Sequence, residues 1–244
     1  MHTLFPARLA VSRTLALSAV LGLAALLPAS AQTHAYTLNG PSGSFTDANG
    51  GPSLIPDGGT LLPSGYTFNP NEGLSLGNVL NESDYSITLT FSLSSIDRCD
   101  KLLDFRDKSS DNGLYLYYGK LDFYPITGDP GANVFAADQS QTVNLTRNGA
   151  TQVVTGSVGG VEQFSFVDTA GIAVFDAPDN RIHFFEDDNA TAGREAAGGT
   201  VTGIVINGSG APVPEVSTTV SLGLLLMLGF GGAVVAAKKK KSVA

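Results

Sequence analysis

The sequence predicts an all-β fold, an antiparallel β-sandwich flanked by an N-terminal signal peptide and a C-terminal transmembrane helix. Three observations predict the sandwich. Short segments of alternating apolar and polar residues recur between residues 35 and 207, glycine-containing turns separate them, and no stretch there keeps the spacing of an amphipathic helix. About ten strands joined by short turns fit an antiparallel sandwich better than alternating strands and helices.

Residues 1–31 have the pattern of a signal peptide. Two arginines precede the apolar segment Leu15–Leu27, and Ala29-Ser30-Ala31 supplies small residues for cleavage. We therefore expect cleavage between Ala31 and Gln32 and translocation of the chain that follows. The alternative is a retained N-terminal anchor, for which the apolar segment is short.

Tyr85–Leu93 carries the strongest strand signal in the chain. Its odd-numbered residues are apolar and its even-numbered residues are Ser or Thr, which predicts one buried face and one polar face. Eight further strands are predicted, at Lys101–Phe105, Leu114–Tyr118, Leu121–Tyr124, Thr142–Arg147, Gln152–Val158, Val161–Val167, Arg181–Phe185 and Thr200–Ile206.

Glycine-containing pairs predict the tightest turns. Asn148-Gly149 is the preferred pair for a two-residue type I′ hairpin, and Gly159-Gly160 indicates a second hairpin. Gly119-Lys120 is expected to close a third, with glycine supplying a positive φ. Asp107–Gly113 is expected to be a polar turn between two strands.

The segment Gln32–Glu215 is strongly acidic. It holds all 22 Asp and Glu residues and eight Lys and Arg residues, so its formal net charge is −14. This charge disfavours nucleic acid as a partner, because phosphates need cationic side chains, and it suits a soluble extracellular protein. The single cysteine, Cys99, excludes an intramolecular disulfide; it is either a buried small residue or an exposed thiol.

The C-terminal segment, residues 211–244, combines a Pro-Glu motif, an uncharged run and four lysines. The run Val216–Ala237 would form about 33 Å of helix, enough to span a membrane, and Lys238–Lys241 should stay cytoplasmic. This order resembles the PEP-CTERM sorting signal of exosortase substrates, with Val216 where a second proline is usual. The resemblance implies exosortase processing near Pro214-Glu215 and release to the cell surface or extracellular matrix. The alternative is an uncut anchor.

The central and closing strands resemble laminin-G-like, concanavalin A-like jelly rolls. Val143–Gly149, followed by Val158-Gly159-Gly160, is similar to the central hairpins of that family, and Phe184–Asp188 is similar to its closing part. The resemblance covers residues 36–207 and implies a jelly-roll sandwich, assigned here to residues 32–210. Such domains often bind carbohydrate or protein, although a fold alone does not establish a function.

No catalytic set is evident. Glu186 and Asp188 would share a strand face, but Thr191 stands where a Glu-x-Asp-x-x-Glu array for glycan hydrolysis needs its third acid. The two histidines of the exported segment, His34 and His183, lie in no nucleophile motif. We therefore expect a protein that is not an enzyme.

One candidate metal site remains. Glu186, Asp187, Asp188 and Asn189 place four oxygen-bearing side chains in succession, a ligand type that favours Ca²⁺ as the cofactor. The alternative is a solvated acidic turn that ends the strand.

Three tyrosines form the candidate ligand site. Tyr115, Tyr117 and Tyr124 lie near the central hairpins, and each offers a flat face with a polar rim for stacking on a sugar. The alternative is cross-strand packing. The sequence thus predicts a surface or biofilm-matrix protein that binds extracellular polysaccharide; the alternative is a structural or adhesion component that contacts protein. Other expected partners are the exosortase and, before processing, the membrane.

Overall fold

The computed structural model describes residues 32–77, 79, 83–126, 131–175 and 180–208. All regular structure in these residues is β-strand. The predicted signal peptide, transmembrane helix, basic tail and Pro214-Glu215 motif lie outside them. Within the described part of the chain, no helix has the length and hydrophobicity needed to cross a membrane.

The described residues form fourteen strands. In chain order they are β1 Gln32–Thr37, β2 Ile55–Pro56, β3 Thr60–Leu62, β4 Gly65–Phe68, β5 Leu74–Leu76, β6 Tyr85–Leu93, β7 Cys99–Asp104, β8 Gly113–Tyr117, β9 Lys120–Tyr124, β10 Gln141–Arg147, β11 Val153–Val158, β12 Val161–Val167, β13 Ile182–Phe184 and β14 Gly199–Gly208.

The strands make two antiparallel sheets. Sheet A has the order β12-β11-β10-β6-β14-β4-β3, and β1 pairs with the second half of β14 beside β4. Sheet B has the order β2-β5-β13-β7-β8-β9. This arrangement confirms the predicted all-β antiparallel architecture.

The two sheets pack face to face around an apolar core. On β6 the odd-numbered residues are buried and the even-numbered ones half-buried, as the alternation predicts. The ring of Phe91 on β6 lies 5.1 Å from that of Phe185, which follows β13 in sheet B. Phe105, which follows β7, stacks on Phe175 at 4.4 Å. Burial of such large apolar side chains from both sheets is the main stabilising contribution.

Two predicted hairpins are present. Gly159 and Gly160, with φ of 57° and 81°, join Val158 to Val161 as a two-residue turn. Positive φ at both positions is the type I′ signature. The β8–β9 hairpin also has a two-residue turn, but it is Tyr118-Gly119, one residue earlier than predicted.

The predicted two-residue hairpin at Asn148-Gly149 is wrong. The connection runs from Arg147, the end of β10, to Val153, the start of β11. The Asn148 side-chain oxygen accepts the backbone N–H groups of Ala150 and Thr151 at 3.0 and 2.9 Å. The amide therefore organises a longer loop, as Asn side chains often do in turns.

Candidate functional site

The candidate site lies on the face of sheet B that points away from the core. The register of β7 shifts between Lys101 and Leu103, so that Leu102 and Leu103 are both core residues opposite Leu114 of β8, and the adjoining pair points outward. Lys101 and Tyr115 form such an outward pair. They are nevertheless only 1% and 3% exposed, because loops cover this part of the outer face.

Two loops form the cover. Residues 105–112 connect β7 to β8, and residues 185–198 connect β13 to β14. The second loop begins at Phe185, whose φ is 62° and whose N–H donates to the Leu102 carbonyl at 3.1 Å. Further along, the Glu195 carbonyl accepts the Lys101 N–H at 2.8 Å. The loop thus runs beside β7 and closes over its outer face.

The first predicted calcium ligand, Glu186, is buried in this loop and contacts the side chains of Lys108 and His183. Its Oε2 atom lies 2.8 Å from Lys108 Nζ and 3.0 Å from His183 Nδ1. The other ring nitrogen of His183 lies 2.8 Å from Asp107 Oδ1. Burial alone would lower the pKa of His183, but the hydrogen bonds to Glu186 and Asp107 raise it above the usual value.

Asp187 and Asp188 are also buried, whereas Asn189 is exposed. Asp187 Oδ2 accepts the Thr191 hydroxyl at 2.6 Å and the Glu195 N–H at 2.9 Å. Among the described residues, no group of three or more His, Cys, Asp or Glu side chains is arranged to hold a metal ion. The calcium site stays a prediction.

Lys101 is the centre of a buried cluster, called here the Lys101 cluster, which also includes Asp104, Asp188 and Tyr115. Lys101 Nζ contacts Asp188 Oδ2 and lies 3.1 Å from Asp104 Oδ2 and 5.1 Å from the centre of the Tyr115 ring. Burial alone would raise the pKa of Asp188, but hydrogen bonds from Lys101 and the backbone hold it below the usual range. One cation therefore faces two carboxylates without contact with solvent.

The predicted tyrosines divide into a buried residue and an exposed pair. Tyr115 would have to be exposed to stack on a sugar, but it is buried: it belongs to the Lys101 cluster, and its hydroxyl donates to Asp111 Oδ1 at 2.8 Å. Tyr117 and Tyr124 are 43% and 45% exposed, and Tyr118, which was not among the predicted tyrosines, is 56% exposed. These three residues are called the tyrosine platform.

The platform residues lie along the β8–β9 hairpin. Tyr117 pairs with Lys120 and Tyr124 pairs with Gly113, so the two tyrosines are four residues apart along the strands, roughly 13 Å. The rings of Tyr117 and Tyr118 meet edge to face, with 4.9 Å between their centres. The hairpin therefore presents several aromatic faces to solvent.

An open cleft of about 270 Å³ adjoins the platform. Its described lining residues are Arg98, Cys99, Tyr118, Thr191, Arg194 and Glu195. Arg98 donates to the Ala196 carbonyl at 2.8 Å, and Arg194 Nε donates to the Thr191 carbonyl at 2.8 Å. These hydrogen bonds orient the two guanidinium groups. Cys99 is a partly exposed free thiol, so neither of its two predicted environments describes it fully.

Glu195 gives the cleft a titratable group. Burial and the nearby carboxylates of Asp111, Asp187 and Asp188 raise the pKa of its side chain to about 7. At neutral pH a part of the Glu195 side chains is therefore protonated and can donate a hydrogen bond, and the rest are ionised and only accept hydrogen bonds.

Sequence reasoning missed the cleft for a physical reason. Arg194 and Glu195 lie in a polar loop whose course depends on the 187–196 backbone folding back along β7. No local sequence pattern predicts that a loop will fold back along a distant strand. Tyr118 had a signal, because it follows Tyr117 directly at a hairpin turn.

No protein-family model and no curated protein matches the chain. Among solved structures it is similar to Trypanosoma rangeli sialidase, with a TM-score of 0.52, 13% identity, and coverage of 71% of this chain and 30% of the sialidase. The same sialidase with 2,3-difluorosialic acid, a covalent intermediate, gives 0.54 at the same identity and coverage. Domain 4 of AbnA, a GH43 extracellular arabinanase from Geobacillus stearothermophilus, in complex with arabinotriose, gives 0.48 at 13% identity, with coverage of 73% and 93%.

The likeness to the sialidase structures concerns the fold. The chain spans 30% of the length of the sialidases that it matches, so the comparison covers one β-rich part of a larger protein. Together with the two packed sheets, it identifies the described part of this chain as a β-sandwich.

Proposed function

We propose that this β-sandwich binds extracellular polysaccharide through the tyrosine platform and the adjoining cleft. The observation that carries the proposal is the exposure of three tyrosine rings on one hairpin beside a polar cleft. Large exposed aromatic groups close together usually mark a binding surface, and a tyrosine ring stacks on the apolar face of a sugar while its hydroxyl stays hydrated.

The cleft supplies hydrogen-bonding groups that suit sugar hydroxyls. Arg98 and Arg194 each donate a hydrogen bond from the guanidinium group to a backbone carbonyl. Because the guanidinium group is planar and rigid, this bond also fixes the directions of its other N–H groups. Glu195 adds a group that donates when protonated and accepts when ionised, and the Thr191 hydroxyl, whose proton goes to Asp187, adds an acceptor. A few oriented polar groups beside an apolar surface are typical of ligand sites.

The same cleft supports binding rather than hydrolysis. Most glycoside hydrolases use two carboxylates that flank the scissile bond. The described residues that line the cleft include one carboxylate, Glu195. Glu186 and Asp188, the pair considered from sequence, are held by the lysines Lys108 and Lys101 respectively, outside this lining. The proposed protein is therefore a binding module and not an enzyme.

The proposed function includes a location outside the cell membrane, which rests on sequence features. The signal-peptide pattern of residues 1–31 and the PEP-CTERM-like segment 211–244 support export followed by exosortase processing to the cell surface or matrix. Mass spectrometry of the secreted protein tests this directly. A chain that begins at Gln32 and ends near Pro214 is expected; a chain retained in the membrane with its lysines would contradict processing.

The finer fold assignment is also part of the proposal. The strand order of sheet A, in which the late strand β14 lies between β6 and the early strands β1 and β4, supports a laminin-G-like jelly roll. An experimental structure with a different path between the sheets would contradict it.

A glycan array with the exported protein, with and without a calcium chelator, tests binding. Tyr117→Ala combined with Tyr124→Ala is expected to weaken binding by about tenfold or more, equivalent to about 1.4 kcal/mol. Leu62→Ala is the matched control, since Leu62 is also 43% exposed but lies on β3 of sheet A. Equal binding by both variants would contradict the platform, and a loss of binding with chelator would support the predicted calcium site.

A structural matrix role is the second candidate, and one observation favours it. Val161 and Val167 on β12, the edge strand of sheet A, are 65% and 58% exposed. An edge strand with exposed apolar residues can pair with another chain. No glycan binding by the wild-type protein, together with protein partners lost on Val161→Lys, would replace the polysaccharide proposal with this one.

A further inference from the structure

The Lys101 cluster has the components of a covalent cross-link. Lys101 Nζ lies against Asp188 Oδ2, and both side chains are fully buried. Asp104, also fully buried, has its Oδ2 atom 3.1 Å from the same nitrogen. An amine, a carboxyl group to react with it, and a second carboxyl group to carry protons therefore lie together in a volume that excludes water.

We propose that Lys101 and Asp188 join in an intramolecular amide bond, formed without another protein and with Asp104 as the proton carrier. The bond would link β7 to the loop that follows β13, residues 87 positions apart. It concerns the stability of the domain and does not rest on glycan binding.

The two oxygens of Asp188 have different surroundings that suit the reaction. Oδ1 accepts the backbone N–H groups of Ala190 and Thr191 at 2.7 and 3.0 Å. Two such donors polarise a carbonyl and stabilise the oxyanion that forms when an amine attacks it. Oδ2 faces Lys101 and lies 3.5 Å from the Tyr115 hydroxyl, so it is placed to leave.

Asp104 is held for proton transfer. Its Oδ1 atom accepts the backbone N–H groups of Arg106 and Lys108 at 3.0 and 2.7 Å, which fixes the carboxyl group. Its Oδ2 atom is thereby directed at Lys101 Nζ. A group at hydrogen-bond distance from the attacking nitrogen can take its proton and pass it to the departing oxygen.

The step balances without an oxidant or co-reactant. Transfer of one proton from the ammonium to Oδ2 turns the ion pair into a neutral amine and a carboxylic acid. The Lys101 nitrogen then attacks Cγ of Asp188, the bond from Cγ to Oδ2 breaks, and Asp104 relays the amine proton to the leaving hydroxyl. One amide bond forms and one water molecule is released.

Burial provides the driving force. Burying an ion pair costs a large desolvation free energy for each ion, whereas a neutral amide costs much less to bury. The released water passes to bulk solvent, and the cover of the loops protects the amide from hydrolysis.

The same molecule contains an internal control. Lys108 and Glu186 also form an ion pair at 2.8 Å, but the Lys108 side chain is 29% exposed. Water can solvate that ammonium and keep it charged, so no amide is expected there. If cross-linking did not depend on burial, an amide would form at both Lys101–Asp188 and Lys108–Glu186.

Tryptic digestion of the denatured wild-type protein tests the proposal. The expected product is a branched peptide, residues 99–106 joined to residues 182–194, with the summed mass less one water. Cleavage after Lys101 should be absent and cleavage after Lys108 normal. Complete cleavage after Lys101 in protein that had folded and been kept for days at neutral pH would overturn the proposal, and this result needs no variant.

Variants assign the roles. Lys101→Arg keeps the charge and should abolish the branched peptide, with a lower Tm, whereas Asp187→Asn, at the adjacent position, should retain it. Asp188→Asn should give the same branched product with loss of ammonia. Asp104→Asn should leave folded protein that cross-links much more slowly; cross-linking at the wild-type rate would overturn the role of Asp104.

Discussion

Arg147 on β10 and Asp168, directly after β12, form an ion pair with 3.0 Å between Nε and Oδ2, and both side chains are almost fully buried. Arg147 also donates to the Ser83 carbonyl, and Asp168 accepts the N–H groups of Ile172 and Ala173 at 2.8 and 3.2 Å. The ion pair and its hydrogen bonds therefore connect β10 and the end of β12 to two loops, one containing Ser83 and the other containing Ile172 and Ala173.

Asp168→Ala should destabilise the fold by about 3–5 kcal/mol, because it leaves a buried guanidinium without its counter-ion. Urea unfolding followed by circular dichroism measures the change. Asp97→Asn, at an exposed position, is the control and should change stability by less than about 0.5 kcal/mol. A loss below about 1 kcal/mol for Asp168→Ala would show that solvent reaches the pair.

The two faces of β6 give a second prediction. Leu89 points into the core and is 1% exposed, whereas Thr88 beside it points to the other face and is half-buried. Leu89→Ala should cost about 2–5 kcal/mol through lost burial and a residual cavity, and Thr88→Ala much less. Similar losses for both, measured by urea unfolding, would mean that the sheet is covered on both sides.

The Gly159-Gly160 turn gives a third prediction. A Cβ atom at Gly160 would meet nothing within 4 Å, so Gly160→Ala tests only the positive φ of 81°. We expect a loss of about 1–2 kcal/mol from the left-handed backbone. Gly203→Ala on β14 is the control, since its φ is not positive and its Cβ would meet one carbonyl at 3.7 Å. No difference in thermal unfolding would contradict the type I′ turn.

The titration of Glu195 gives a fourth prediction. Its pKa is raised from 4.5 to about 7 in the folded protein, so between these values the folded state holds a proton that the unfolded state has lost. Stability should therefore fall as pH rises through this window. Burial raises the pKa of Asp100 to about 6, which acts in the same direction over a lower range.

Thermal unfolding from pH 5 to pH 8 measures this effect. The Tm of Glu195→Gln should decline less over the range than that of the wild type, because glutamine does not titrate. Glu162→Gln, at an exposed position on β12, should follow the wild-type curve. Parallel curves for wild type and Glu195→Gln would show that Glu195 is ordinarily solvated.

The strands that could be predicted from sequence are those whose alternation is long enough to be seen. Tyr85–Leu93 was predicted with its observed bounds and its buried face. The strands β1 to β5 were not predicted; β1 has six residues, but β2, β3 and β5 have only two or three and β4 has four. Such short segments owe their strand conformation to pairing with distant partners and not to local preference.

The candidate site was predictable only in part, because its contacts join distant residues. The acidic run at 186–188 was found, but its partners Lys101 and Lys108 come from β7 and the loop after it. Tyr117 and Tyr124 were found and are exposed, whereas Tyr115 between them is buried by Asp111 and the loops. Strand alternation places these side chains outward; it does not reveal what folds over them.

The register of β14 has a consequence for orientation. Gly199 pairs with Leu93 at one end of the sandwich and Gly208 with Tyr85 at the other, roughly 30 Å away along the strands. The cleft adjoins the first end, where Arg98 donates to the Ala196 carbonyl. Thiol labelling of Cys99 on intact cells would report whether the cleft is accessible there. In a chain attached to a surface through residues after Gly208, the cleft would therefore lie at the end of the sandwich opposite the point of attachment.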